Sequence, residues 1–242
     1  MPNIQKILGY TRKACQEFNL IDNGDKIAVG VSGGKDSLVL LAALAEMRLF
    51  FEKKYQLHAI SLDPRFYGRD GDYSSVERFC EKLEVPFTLI RSDIYEIVFE
   101  IRREKNPCAL CAKMRRGALH DAAKENNCNK IALGHNNDDA IETFIMNLFR
   151  EGRIGCFSPK SYLSRKDLTL IRPLVFAPES KIESCCRQSG FEVIKSPCPV
   201  DKATERQRIK EFLETREKED KGFKQRIFGA LRKSGADNWG QG

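Results

Sequence analysis

Residues 32–37 read Ser32-Gly33-Gly34-Lys35-Asp36-Ser37 and follow a strand-like run over 26–31. Adjacent glycines allow turn conformations closed to other residues and let the backbone approach an anion closely. Successive N–H groups there, aimed at a helix N-terminus, form a concave anion site. Ser32 and Ser37 add hydroxyl donors, and Lys35 adds a point charge suited to phosphate. Asp36 would repel a bare phosphate, so it points to a magnesium ion or to an orienting role. The pattern G-x-x-x-x-G-K-[ST] does not fit. The bland alternative is an ordinary glycine-rich turn, which the length of the motif and its strand–loop–helix context disfavour.

The second set of residues is sulfur. Cys108-Ala109-Leu110-Cys111 is a C-x-x-C, and the chain has no other. Zinc would want a second pair, and a thioredoxin-type redox motif would need different flanks. Cys198 lies in Ser196-Pro197-Cys198-Pro199, just past an expected strand at 191–194. That strand should end on the same rim as the loop before Cys108. Three thiolates could hold a 4Fe-4S cluster and leave one iron without a protein ligand, open to sulfide or substrate. A structural zinc or unrelated thiols is the alternative reading. Cys185-Cys186 competes for the third position, although adjacent residues within a helix point in different directions.

The third motif is Gly134-His135-Asn136-Asn137-Asp138-Asp139, between a short apolar strand and its helix. Gly134 permits a tight turn beside a nucleotide. Asp138 or Asp139 could hold magnesium on phosphates or handle protons. Acids at a helix start also simply cap its positive end, and both readings stand at this point.

The elements that must position these residues alternate. A helix is expected within 3–19, then strands at about 26–31, 55–62, 86–90, 130–133 and 191–194, with a β-like stretch at 168–176. Helices are expected at about 38–48, 73–84, 93–103, 111–126, 137–150 and 179–189. The order predicts an α/β protein with a doubly wound, mainly parallel sheet and helices on both faces. Ligands of such sheets bind at the carboxyl ends of the strands, where Leu62, Gly134 and His135 join the 32–37 loop as candidate nucleotide contacts. The expected organisation is an N-terminal helix over 1–22, a nucleotide domain over 23–200, a basic helical extension over 201–234 and a disordered tail over 235–242.

Composition sets the class. The chain has 242 residues, 41% hydrophobic and 31% charged, which describes a globular domain. No apolar run approaches the roughly 20 residues of a membrane span, and the first residues lack a secretory pattern, so a cytoplasmic location is expected. Nine cysteines then argue for metal or redox chemistry rather than a disulfide framework. Cys15 and Cys80 fall at apolar helix positions and read as buried small hydrophobes. The net charge of +7 favours a polyanionic partner. Arg102, Arg103, Lys105, Lys113, Arg115 and Arg116 crowd the C-x-x-C against Glu104 alone, which makes them candidate RNA contacts. A second basic run follows Lys202, and a solvated helix face explains such runs as often as a partner does.

The ordered set SGGKDS, CALCAKMRRG at 108–117, IALGHNNDDAIETFIMNLFREG at 131–152, IRPL at 171–174 and PCP at 197–199 resembles the tRNA 2-thiocytidine biosynthesis family. These are iron–sulfur-dependent tRNA thiolases of the PP-loop ATP pyrophosphatases, enzymes that split ATP into AMP and pyrophosphate. The resemblance covers roughly residues 20–215 and implies an adenine nucleotide alpha hydrolase-like fold. It implies Ser32, Gly33, Gly34, Lys35, Asp36 and Ser37 as the ATP loop, with Lys35 and Asp36 catalytic. It implies Cys108, Cys111 and Cys198 as 4Fe-4S ligands and Asp138 and Asp139 as the catalytic acidic motif. The implied cofactors are a 4Fe-4S cluster, ATP and magnesium. The implied partners are tRNA and a sulfur donor, either a cysteine desulfurase or free sulfide. No membrane is expected, and a homodimer is one assembly open to it. Related uridine thiolases carry terminal zinc-binding cysteine pairs that this chain lacks. Two departures stand out: the chain is somewhat short for the cytidine family, and Pro199-Val200-Asp201-Lys202 lacks a cysteine that family often has. Two other classes fit part of the pattern: a cluster-independent, lysidine-synthetase-like tRNA-cytidine ligase, and a non-catalytic nucleotide- or RNA-binding module.

Overall fold

A computed structural model describes residues 4–103, 107–195, 197–198 and 205–240. Six strands form one sheet: β1 (Asp25–Gly30), β2 (Tyr55–Asp63), β3 (Phe87–Arg91), β4 (Lys130–Ala132), β5 (Lys160–Leu163) and β6 (Leu168–Ile171). Their order is β3-β2-β1-β4-β6-β5. All neighbours are parallel except β5 and β6, which run antiparallel. The chain winds outward from β1 in both directions, so the sheet is doubly wound and its switch point lies between β1 and β4. The loop after β1 and the loop after β4 therefore leave the same edge side by side, at the crevice where such sheets bind ligands.

Helix α2 (Lys35–Met47) leaves the first loop. Its residues from Leu38 through Ala45, and Met47, are buried, as expected for a helix covered on all sides. It packs between the sheet and helices α1 (Gln5–Glu17) and α6 (Glu179–Gln188). Helix α3 (Ser74–Lys82) leads into β3. On the other face, α4 (Pro107–Glu125) sets Ala122 and Ala123 against Ala28, Ile60, Ile131 and Leu170. Its first half meets a short π-helix (Glu96–Ile101) through a cluster including Leu62, Val98, Leu110 and Met114. Helices α5 (Asn137–Glu151), α7 (Glu205–Glu219) and α8 (Phe223–Ser234) pack together beyond β4.

Four expectations change. The segment 191–194 is not a strand: β5 pairs with β6 and takes the sheet position a further strand would need. The β-like stretch ends at Ile171, and Leu174 to Ala177 continue as buried irregular chain. Cys108 sits in the first turn of α4 rather than in a loop before it, because Pro107 at the helix start is pre-set for helical φ. The tail is not disordered through its described part. Trp239 is fully buried, donates its indole N–H to the Phe157 carbonyl at 2.8 Å, and meets the rings of Phe18 and Phe228. One large aromatic body is enough to anchor a short polar tail.

Candidate active site

The loop after β1 turns at Gly33, whose φ is +80°. A Cβ at Gly33 would stand 2.9 Å from the Ile194 side chain. The Ile194 N–H donates to the Gly33 carbonyl at 3.0 Å, so the segment leading to Cys198 is tied to this loop by backbone. The two serines shape the turn. Ser32 N–H donates to Ser37 Oγ at 3.2 Å, Gly34 N–H donates to Ser32 Oγ at 3.3 Å, and Ser37 Oγ donates to the Gly34 carbonyl at 2.8 Å. Gly134 passes against the start of α2: a Cβ there would meet the Asp36 carbonyl carbon at 3.2 Å. Its glycine thus serves the approach of two loops rather than a turn alone.

Lys35 lies within 3.1 Å of Asp36 and 2.8 Å of Glu179. Partial burial works against its charge, but the Glu179 and Asp36 carboxylates outweigh it and hold the amine above its usual range. Asp36 Oδ1 also accepts from Asn136 Nδ2 at 2.9 Å. Asp138 and Asp139 have both oxygens engaged within the protein. Asp138 accepts from the Glu179 N–H at 2.7 Å and from Lys224 Nζ at 2.9 Å. Asp139 closes a capping box with Asn136 and accepts from Arg206 Nη1 at 2.8 Å. Burial pushes the Asp139 carboxyl up despite these donors. Glu142, one turn further on, is buried beside Asp139 and is pushed up to about 7, first by burial and then by that neighbouring charge.

The cations that neutralise this acidic cluster come from the C-terminal helices. Arg206 reaches Asp139 and Glu142, Lys210 reaches Glu179 at 2.8 Å, and Lys224 reaches Asp138. These three basic residues of the second run point inward. Glu179, Arg206, Lys210 and Lys224 escaped the sequence reading, because a charge run looks the same whether its acids lie opposite or are absent. The signal that could have found Glu179 was an acid directly after Pro178, opening a helix at a strand-end loop.

Leu62 forms part of a recess with Gly30, Leu119, Leu133, Arg115 and Ser32, an apolar slot of about 180 Å³ at the sheet's carboxyl edge. A larger cleft of about 600 Å³ shares Ser32 and Arg115 with it. The His135 ring lies 4.9 Å from Phe157. Burial, with Arg172 and Arg206 nearby, lowers its pKa to about 3. Its Nδ1 is buried without a hydrogen-bond partner among the described residues. It does not line the recess or the cleft.

Of the nine cysteines, only Cys108, Cys111 and Cys198 reach solvent; the other six are buried. Burial pushes Cys80 and Cys156 up to about 12 and raises Cys185 and Cys186, so these stay thiols. Cys111 is raised first by partial burial. Arg115 pulls it down, while Cys198 and Cys108 push it up, so Cys111 stands within electrostatic reach of both other sulfurs. Among the described residues no three His, Cys, Asp or Glu side chains converge as ligands of a metal ion. Arg102, Arg103, Lys113, Arg115 and Arg116 are exposed around this site, and Lys105 lies outside the described residues.

A family model described as a PP-loop domain matches residues 8–217. A tRNA-cytidine(32) 2-sulfurtransferase of Pelobacter propionicus is 38% identical over 234 residues, covering 96% of this chain and 86% of the relative. The chain belongs to this PP-loop family. A second member of the same name, from Citrifermentans bemidjiense, is 37% identical and covers 93% of this chain and 89% of its own. Among solved structures, the U34-tRNA thiolase NcsA of Methanococcus maripaludis, determined with its 4Fe-4S cluster, aligns with a TM-score of 0.73 at 24% identity. That alignment covers 94% of this chain and 78% of NcsA and confirms the PP-loop fold. No helix among the described residues is long and apolar enough to cross a membrane.

Proposed function

We propose that this chain is a cytoplasmic, ATP-dependent tRNA sulfurtransferase that replaces the C2 oxygen of a cytidine, position 32 by its relatives' names, with sulfur. One observation carries the reading. Cys111 packs against the Leu62 cluster at the end of β2 and lies near Cys108 and Cys198, and the Ile194–Gly33 bond ties the segment holding Cys198 to the nucleotide loop. The donor set fits a 4Fe-4S cluster held by Cys108, Cys111 and Cys198. Cys111 has both Cys108 and Cys198 near it, and these are the three cysteines that reach solvent, as ligands of an added metal–sulfur body must. When bound, the cluster supplies a place to hold sulfide beside the activated carbon.

The chain's own residues perform the nucleotide chemistry. Adenine fits the apolar recess of Leu62, Leu119 and Leu133. The amides of the 33–35 turn and the start of α2 face the phosphates and stabilise the charge that builds on pyrophosphate. Lys35 exchanges Glu179 for phosphate, and Asp36 is the half-exposed carboxylate placed to meet a magnesium ion that arrives with ATP. The cytidine C2 oxygen attacks the α-phosphorus, the α–β phosphoanhydride bond breaks, and pyrophosphate leaves. Sulfide, from a cysteine desulfurase or free in solution, then replaces AMP at C2. Asp138 and Asp139 act here by holding the α5 start, Glu179 and the C-terminal helices in place, rather than as open metal ligands. Exposed Arg102, Arg103, Lys113, Arg115 and Arg116 receive the tRNA backbone.

The test is anaerobic purification and reconstitution, then assay with ATP, tRNA and sulfide. Equal amounts of AMP, pyrophosphate and 2-thiocytidine are expected. ADP and phosphate as products would refute the ATP assignment. Turnover that survives loss of all three cysteines would identify a cluster-independent ligase instead.

A further inference from the structure

The large cleft beside the nucleotide recess carries two aromatic residues that the catalytic scheme leaves idle. Phe66 and Tyr67 line it together with Ser32, Gly34, Arg69, Arg115 and Lys195. Tyr67 is 55% exposed. It does not hang loose. Its ring packs 4.9 Å from Tyr95, which stacks on Phe99 at 5.0 Å, and Phe66 meets Tyr95 at 5.6 Å.

The backbone beneath is forced into this presentation. Arg65 and Tyr67 both have left-handed φ, at 53° and 57°, conformations that bulky residues avoid. Asp63, buried at the end of β2, holds the loop by accepting from the Arg65 N–H at 2.9 Å and the Gly71 N–H at 2.8 Å. Arg65 is further tied to Asp70 and Asp93. A ring pushed toward solvent on a strained, pinned loop is a surface waiting for a planar partner.

Charge identifies the partner. Of the three carboxylates in the lining, Asp63 is spent on backbone amides, Asp70 is shared by Arg65 and Arg91, and Asp72 accepts from the Ser74 N–H at 2.9 Å. Arg69, Arg115 and Lys195 thus line the cleft with no carboxylate at ion-pair distance among the described residues. Braced aromatics among unpaired cations are how proteins take unpaired nucleotides: bases stack on rings while cations hold phosphates. The shared wall of Ser32 and Arg115 puts a base in the cleft next to the phosphates of a nucleotide in the recess.

We infer that Tyr67, seconded by Phe66, is the stacking platform that receives the target pyrimidine once it is turned out of the tRNA loop. This rests on the tRNA-sulfurtransferase reading above and adds the residues that seat the base. The experiment compares wild type with Tyr67→Ala, Tyr67→Phe and Tyr67→Asn, the last because asparagine tolerates the left-handed backbone while removing the ring. The readouts are tRNA-dependent AMP release, the KM values for ATP and for tRNA, and the fluorescence of a tRNA carrying pyrrolocytidine at position 32. Tyr67→Ala and Tyr67→Asn should lose about tenfold to hundredfold in kcat/KM for tRNA. They should also lose the fluorescence change on binding and keep the KM for ATP. Tyr67→Phe should stay within about threefold of wild type, since the ring face does the stacking. If wild type thiolates tRNA while Tyr67→Asn matches it, the platform is wrong and the function stands. A raised KM for ATP alone would give Tyr67 to adenine and also overturn the platform. A wild type that releases no AMP with tRNA would remove both readings together.

Discussion

The backbone N–H of Ile194 donates to the carbonyl of Gly33 at 3.0 Å, and the Ile194 side chain fills the space where a Gly33 side chain would stand. The nucleotide loop and the approach to Cys198 are therefore one mechanical unit. Gly33→Ala should damage both. Its methyl meets Ile194 at 2.9 Å, and its left-handed φ costs about 1 kcal/mol or more for a non-glycine residue. ATP turnover should fall at least about hundredfold, with iron content after reconstitution reduced in the same preparation. Normal iron with lost turnover would show that the two sites are uncoupled.

Cysteine exposure makes a separable prediction. Cys108→Ala, Cys111→Ala and Cys198→Ala should each remove the brown absorbance and the thiolation activity. Cys185→Ala and Cys186→Ala should keep both, because those thiols are buried on α6. A stoichiometric zinc without iron would contradict this.

The two basic runs should behave differently. Arg115→Ala with Arg116→Ala removes exposed charge and should weaken tRNA binding and flatten its dependence on salt, since each phosphate contact releases counter-ion. Arg206→Ala or Lys224→Ala strips a partner from Asp139 or Asp138. These changes should lower thermal stability and ATP turnover while leaving the salt slope of tRNA binding as it was. Equal slopes across both pairs would mean the inward geometry does not persist.

Glu142 gives a pH signature. Its carboxyl is raised from 4.5 to about 7 by burial and by Asp139, so the folded state holds the proton more tightly than the unfolded chain. Its contribution is full below about pH 4.5 and is lost as pH rises through about 7, by at most about 3 kcal/mol. Glu142→Gln mimics the protonated form and should gain stability over wild type progressively from pH 5 to 8, read as a growing difference in Tm. A difference constant across that range would exclude this titration.

The nucleotide loop was legible because SGGKDS combines permissive glycines and charges in one contiguous string after a strand, and its meaning is local. The C-x-x-C spacing marks Cys108 and Cys111 as a pair, but Cys198 enters the set through the family resemblance, and Cys108 opens a helix that the spacing did not show. The edge of the sheet was not: 191–194 has a strand's apolar content, and only the pairing of β5 with β6 shows that its place is filled. Nor was the role of Arg206, Lys210 and Lys224, whose acids lie about 70 to 90 residues earlier for Arg206 and Lys224 and 31 residues earlier for Lys210. Trp239 was lost in a tail of small and polar residues, because local composition does not report the aromatic cage formed by Phe18, Phe157 and Phe228.

Lys35 rests against Glu179 at 2.8 Å, so the nucleotide loop carries a built-in counter-ion. On the proposed reading, an incoming phosphate would displace a carboxylate, and the electrostatic gain would be only the difference between two anions. Glu179, once released, keeps Lys210. Stray inorganic phosphate gains little from such a swap, whereas a whole nucleotide adds the apolar contact of its base. On that reading the ion pair sets a threshold that a common small anion would not cross and a nucleotide, bringing both ends, would.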